Sequence, residues 1–289
     1  MNKFKFIIKH FSISLAFLYA LDSLLYKASN FFQSLRPNSI RERKQFYNLL
    51  FKQNITIQKY NGILHFNYPI KGISNYIQLR DEGSDISIFL QIMYREEYKT
   101  VLELLSNQSH PLKIIDGGSN IGLTVLYFKA HFPNAVIACI EPFQENIIML
   151  KENLSNNLNK ADYYIYDKAI WYTNTILKKK SSFRDNLPWS FAVEAGKDDR
   201  QSYHTVTLKE VMLNSNFHTI DLLKLDIEGS EASLFENFDS FKDVLKKTQM
   251  VALEIHEELT KKETVIQSMS SLGFKCFSNG ELLIAFRSE

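Results

Sequence analysis

The stretch Lys113 to Gly122, Lys-Ile-Ile-Asp-Gly-Gly-Ser-Asn-Ile-Gly, constrains this chain most, because it joins a buried strand, an acidic strand end, a glycine turn and a helix start. Pro111 can open a strand but not sit centrally in one, and Leu112 to Ile115 is the short apolar run of a strand covered on both faces. Gly117 and Gly118 supply a turn free of Cβ obstruction, and Ile121 to Lys129 reads as the following helix, stopped by Pro133. Asp116 decides what such a turn can hold. A dinucleotide fingerprint has its first glycine at that position and rests a pyrophosphate on the helix N-terminus, where a carboxylate would repel it. A strand-end carboxylate suits a cationic, phosphate-free ligand.

The next apolar run, Val136 to Ile140, ends in Glu141-Pro142, at roughly the twenty-odd residues where a βαβ unit places its ribose-binding acid. S-adenosylmethionine carries a sulfonium, an amino group and a ribose but no phosphate, so it is the expected cofactor. Asp116 and Glu141 are its expected anchors, Glu141 taking both ribose hydroxyls with Pro142 beside it. Gly117, Gly118, Ser119 and Asn120 would shape the methionine end. A third strand, Tyr163 to Tyr166, ends in Asp167-Lys168, where Asp167 would touch the adenine. The blander alternative keeps Asp116 as a helix N-cap and Glu141 as a solvated strand end.

A second strand, acid, glycine and helix device follows in Ile220 to Glu231, Ile-Asp-Leu-Leu-Lys-Leu-Asp-Ile-Glu-Gly-Ser-Glu. Asp226 falls at the carboxyl end of the fourth strand, where open α/β sheets bind ligands. Glu228 and Glu231 lie in the first helical turn, where capping alone can explain them. The fifth strand, Met250 to His256, sends Glu254 and His256 to one face, and an imidazole titrating near neutrality suits a general base. Asp226, His256 and Glu228 are therefore the catalytic candidates, and Asp226, like Lys168, is also expected among the cofactor contacts. No metal is expected; magnesium or manganese held by these three ranks below simple general-base catalysis.

The chain's 289 residues, 45% hydrophobic, support one catalytic domain with an N-terminal extension. A net charge of +2 falls short of the bias of a nucleic-acid binder, so none is expected as partner. Cys139 and Cys276 lack metal-ligand spacing and read as small core residues in a reducing compartment. Residues 1–36 place Lys3, Lys5 and Lys9 ahead of the apolar run Phe11 to Leu21, which is too short to span a bilayer and has no cleavage site after it. They read as a helix packed on the main domain or as a membrane-surface helix.

Residues 37–90 carry a hairpin, Ile55 to Tyr60 and Ile63 to Tyr68 around the type I′ dipeptide Asn61-Gly62, and a strand Tyr76 to Leu79. One helix is expected over Ser87 to Leu105, bringing Arg95 to Tyr98 near the cofactor strand. Trp171 to Tyr203 shows no periodicity and reads as an irregular flap or hairpin. Phe274 to Ser278 and Leu282 to Arg287 flank Asn279-Gly280 as a closing hairpin.

With these residues assembled, the chain resembles the FkbM family of S-adenosylmethionine-dependent methyltransferases from about Tyr94 onward. The resemblance is carried by Ile115 to Gly122, by Glu141-Pro142 and above all by Ile220 to Glu231. The family usually has alanine where Ser119 and Ser230 stand here. It implies a class I, Rossmann-like methyltransferase fold over residues 91–289, with a mostly parallel seven-stranded sheet and an antiparallel C-terminal hairpin, an N-terminal helix and small β extension lying outside it. It also implies O-methylation of a sugar, glycan or secondary metabolite. The enzyme is expected in the cytoplasm, where its cofactor is made, with contact to the inner membrane surface through residues 1–36. A cofactor-binding module without turnover and a nicotinamide-dependent reductase are the alternatives, the latter disfavoured by Asp116.

Overall fold

The computed structural model describes residues 38–73, 75–179, 193–195, 202–256 and 259–287, together with Phe17, Ala20, Leu21 and Leu24. The remainder of the expected N-terminal helix lies outside the described residues. Two compact units divide the chain, Met1–Glu96 and Glu97–Glu289.

In the first unit, helix α1 (Asn38–Lys52) precedes strands β1 (Ile57–Tyr60), β2 (Ile63–Phe66) and β3 (Ile77–Arg80), which form an antiparallel sheet in that order. The expected hairpin forms because Asn61 and Gly62 adopt φ of 48° and 81°, the left-handed pair that a type I′ turn requires. Phe46, Phe66 and Phe89 meet edge-on at centroid distances of 5.3 to 5.4 Å and centre this unit's core. The single helix expected over Ser87 to Leu105 is three pieces. Helix α2 (Asp85–Phe89) runs into a π-helical turn, Leu90–Tyr94, and helix α3 (Lys99–Leu105) opens the second unit. The break falls at Arg95 to Tyr98, where the apolar spacing lapses and Glu96 takes a φ of 52°.

The second unit is built on a seven-stranded sheet of β4 (Lys113–Gly117), β5 (Val136–Ile140), β6 (Tyr163–Tyr166), β11 (Ile220–Leu225), β12 (Thr248–Glu254), β13 (Lys275–Asn279) and β14 (Leu282–Phe286). Its order is β13-β14-β12-β11-β4-β5-β6, with every pair from β12 to β6 parallel and β14 antiparallel to both neighbours. That is the class I arrangement expected. The chain winds outward from β4 through β5 to β6, then returns to β11 on the other side, so the sheet's switch point lies between β4 and β11. The carboxyl ends of these two strands open the crevice where such sheets bind ligands. β11 is buried along its whole length, as its near-continuous apolar sequence requires. Helix α4 (Leu123–His131) is buried from Leu123 to Ala130, and α5 (Gln144–Asn157) packs so close to its start that a Cβ on Gly122 would meet Leu150 Cδ1 at 2.8 Å.

The Trp171 to Tyr203 stretch is more regular than its sequence suggests. β7 (Ala169–Ile170), β8 (Ile176–Lys179), β9 (Val193–Ala195) and β10 (Ser202–Val206) form a second sheet in the order β7-β10-β8-β9, around Ala169, Trp171, Leu177 and Tyr203. Antiparallel pairing to β8 and parallel pairing to β7 supply an order that periodicity over such short strands cannot reveal. Residues 180–192 and 196–201 of that stretch lie outside the described residues. Helix α6 (Leu208–Asn214) then leads back to β11, capped by Thr207, which accepts from the Glu210 N–H at 3.2 Å. Among the described residues no helix is long and apolar enough to cross a membrane.

Candidate active site

Two glycine loops meet at the switch point. After β4, Gly118, Asn120 and Gly122 adopt φ of 76°, 48° and 87°, and Gly118 and Ser119 donate their N–H groups to the Ile140 carbonyl at 2.9 and 3.0 Å. A Cβ on Gly118 would stand 1.8 Å from the Asp226 carbonyl oxygen, while Asp226 donates its N–H to the Gly117 carbonyl at 3.1 Å. Glycine is required at 118 by both φ and space. The loop after β4 and the loop after β11 therefore lie back to back. Ser119, expected to shape the methionine end, is committed elsewhere: its hydroxyl donates to the Asp116 carbonyl at 2.8 Å and accepts from Ile140 N at 3.1 Å, tying β4 to β5.

Asp116 is fully buried, and its partner is the chain's own cation, Lys224, which sequence reasoning passed over. Lys224 and Asp116 are register partners on adjacent parallel strands. Lys224 Nζ lies 3.1 Å from Asp116 Oδ1 and 3.6 Å from Asp226 Oδ2, and donates to the Gly118 and Gly117 carbonyls at 2.7 and 3.1 Å. Burial works against this ammonium, but the carboxylates of Asp116 and Asp226 outweigh it and raise its pKa. The Asp116 contact is an ion pair without hydrogen-bond alignment, so both of its oxygens lack a hydrogen-bond partner, as does Asn120 Oδ1. One signal was available: a lysine within the apolar run Leu222 to Leu225 of a buried strand must be paired.

Glu141 is almost fully buried one residue beyond β5. Its Oε1 accepts from Phe143 N at 3.0 Å and Asn146 Nδ2 at 3.2 Å, with Pro142 inside that turn, and its Oε2 accepts from Asn120 N at 3.0 Å. Burial pushes its pKa up to about 7, against the opposing pull of these donors. The carboxylate thus belongs to both loop and helix start, and it is no solvated strand end. With three of roughly four acceptor positions in use, it has room for one ribose hydroxyl rather than two.

At the end of β12, His256 is buried between two carboxylates of the second loop: Nε2 lies 3.5 Å from Glu228 Oε2, and Nδ1 lies 3.4 Å from Glu231 Oε2. Burial lowers the imidazole's pKa, but Glu228 and Glu231 overcome it and raise it to about 10. This pairing speaks against the expected base titrating near neutrality, because each ring nitrogen faces a carboxylate of the chain itself. Glu231 is the loop's cap, accepting from Ile227 N at 2.6 Å and Gly229 N at 2.7 Å. Glu228 is no cap, since it holds a φ of 55° and turns its carboxylate to His256. Glu254 is pushed up to about 9, first by burial and then by Asp226. Tyr98 joins the cluster, its ring 5.5 Å from Phe128, its hydroxyl raised well above the usual range by burial, then by Asp226, Glu97, Asp116 and Glu254.

The structure therefore brings together Asp116, Gly117, Gly118, Asn120 and Glu141 around the first loop, and Asp226, Glu228 and His256 around the second. Asp167 and Lys168 lie one strand further out, past β6, with Asp167 exposed and Lys168 near the Glu210 carboxylate. Among the described residues no group of three or more His, Cys, Asp or Glu side chains is arranged to hold a metal ion.

The profile of the Methyltransferase FkbM domain matches residues 116–276, more than half of the chain. The chain belongs to the FkbM methyltransferase family. Its methyl donor is S-adenosylmethionine, and the unpartnered acceptors Asp116 Oδ2 and Asn120 Oδ1 beside the glycine turn fit a ligand that brings donors and positive charge. Among solved structures, the chain is similar to the methyltransferase FkbM from Methylobacillus flagellatus KT, at 12% identity and a TM-score of 0.45, covering 61% of this chain and 43% of that one. This FkbM chain thus spans less than half the length of that relative. It is also similar to the METTL16 methyltransferase domain, at 10% identity and a TM-score of 0.46 over 86% and 80% of the two chains. A third likeness is M. capricolum TrmK, solved with S-adenosyl-homocysteine, at 8% identity and a TM-score of 0.39 over 66% and 69%. No curated protein sequence matches the chain.

Proposed function

We propose that this FkbM methyltransferase methylates a hydroxyl of a sugar, glycan or small metabolite, with Asp226 as the group that takes the hydroxyl proton. The observation that supports this is the asymmetry of the two aspartates around Lys224: the side chain of Asp116 is fully buried, whereas that of Asp226 is 30% exposed at the crevice. Asp116, with Asn120 and Glu141, belongs to the donor side, and Asp226, with Glu254 and Tyr98 around it, to the acceptor side. Bound S-adenosylmethionine supplies a sulfonium methyl as the electrophile. The chain's own work is to align the acceptor oxygen and to receive its proton on the Asp226 carboxylate as the new C–O bond forms. Charged His256 holds Glu228 and Glu231, and through them the loop that carries Asp226.

Titration calorimetry with S-adenosyl-homocysteine, followed by tritiated-methyl transfer to a panel of glycans, hydroxylated metabolites and amines, tests the reading. Product binding with label entering hydroxyl acceptors is expected. Asp226→Asn should still bind the product while turnover falls by roughly 10²- to 10⁴-fold. Failure to bind product overturns the donor site, and label entering amines alone overturns O-methylation. The reading keeps the enzyme in the cytoplasm, with residues 1–36 as its membrane-surface contact; release from membranes by salt is the expected behaviour, and resistance to both salt and carbonate contradicts it.

A further inference from the structure

Lys224 contributes no atom to an open surface. Its side chain is 2% exposed, and its ammonium, with three protons, faces four oxygens: the Gly117 and Gly118 carbonyls and one carboxylate oxygen each from Asp116 and Asp226. So saturated a cation is neither a nucleophile nor a proton donor to a substrate. What it does is fix the arrangement of others. Apart from the Asp226 N–H that reaches the Gly117 carbonyl, Lys224 is the donor these carbonyls and carboxylates share, and a buried carboxylate without a counter-charge is strongly unfavourable. Lys224 sets a counter-charge 3.1 Å from Asp116 Oδ1 inside the fold and leaves Oδ2 without a hydrogen-bond partner. The register pairing of Lys224 with Asp116 delivers the ammonium to that carboxylate without any loop having to close.

We propose that Lys224 is a positioning residue for the methyl donor, holding the Asp116 carboxylate in the arrangement that the donor's amino end meets. The proposal rests on the donor site described above. It acts through Asp116, which separates it from a lysine that merely stabilises the sheet.

A double-mutant cycle read by S-adenosyl-homocysteine titration tests it, using the full chain as wild type, Lys224→Met, Asp116→Asn and the pair together. Each single variant should bind about tenfold or more weakly, and the double variant should bind as Asp116→Asn alone does, because contacting residues are non-additive. Binding by Lys224→Met at wild-type affinity overturns the proposal while leaving the donor site intact. So does a double variant weaker than Asp116→Asn by the full factor of the lysine change, since that factor then reports general loosening. No binding by the wild type overturns the donor site and the proposal with it. If Lys224→Met does not fold, Lys224→Gln replaces it in the same cycle, keeping an amide donor for the Gly118 carbonyl without the charge.

Discussion

At the scale of single residues, protonation is set by neighbours rather than by residue type. His256 is a cation because Glu228 and Glu231 face its two nitrogens at 3.5 and 3.4 Å. Removing it leaves the buried Glu231 and the part-buried Glu228 without that counter-charge, so His256→Ala should lower unfolding free energy at pH 7 by about 3 kcal/mol, measured in urea. A variant as stable as wild type would restore the neutral imidazole and its role as base. Glu141 has the opposite character, since its buried carboxylate is held by three donors from two elements. Glu141→Ala should weaken S-adenosyl-homocysteine binding by about 1 to 3 kcal/mol through the lost ribose contact and the loosened Asn120 loop. Unchanged affinity in calorimetry would refute the ribose assignment.

At the scale of elements, the site is two loops that share one glycine contact. Gly118 has a φ of 76° and no space for a Cβ, which would stand 1.8 Å from the Asp226 carbonyl. Gly118→Ala must therefore separate the loops, at a cost of roughly 3 kcal/mol or more, and should abolish product binding even where circular dichroism shows a folded chain. Alanine tolerated there with wild-type affinity would mean that the loops move independently. The same element scale explains what the sequence did not disclose about the segment around Trp171 to Tyr203: β7, β8 and β10 have two to five residues each, too few for a period to emerge, and find order only by pairing with one another.

At the scale of the whole molecule, two buried groups, His256 and Glu141, and the half-buried Glu254 act on stability in the same direction. His256 is raised to about 10 from its ordinary 6.5, so its contribution is complete below pH 6.5 and disappears as pH rises through 10. Glu254 and Glu141 are raised to about 9 and about 7 from 4.5, so ionising them costs the folded state increasingly as pH rises through those windows. The folded chain binds more protons than the unfolded one across this range. Melting temperature should accordingly fall from pH 5 toward pH 10, and His256→Gln should flatten the upper part of that fall; a flat or rising profile would contradict the paired imidazolium. The sequence by itself determined the parallel sheet, both acid-glycine turns and the closing hairpin, because strand runs, turn glycines and Asn-Gly dipeptides act over a few residues and need no distant partner. It placed Asp116, Glu141 and Asp226 at strand ends for the same reason. Only the tertiary structure decided which charges meet. Lys224 becomes the counter-ion of Asp116 because β11 lies beside β4 in that register, and His256 becomes a cation because the end of β12 delivers it to a loop more than twenty residues earlier in the chain. Electrostatic pairing depends on separations of a few ångström between segments far apart in sequence, and those separations exist only once the sheet is assembled.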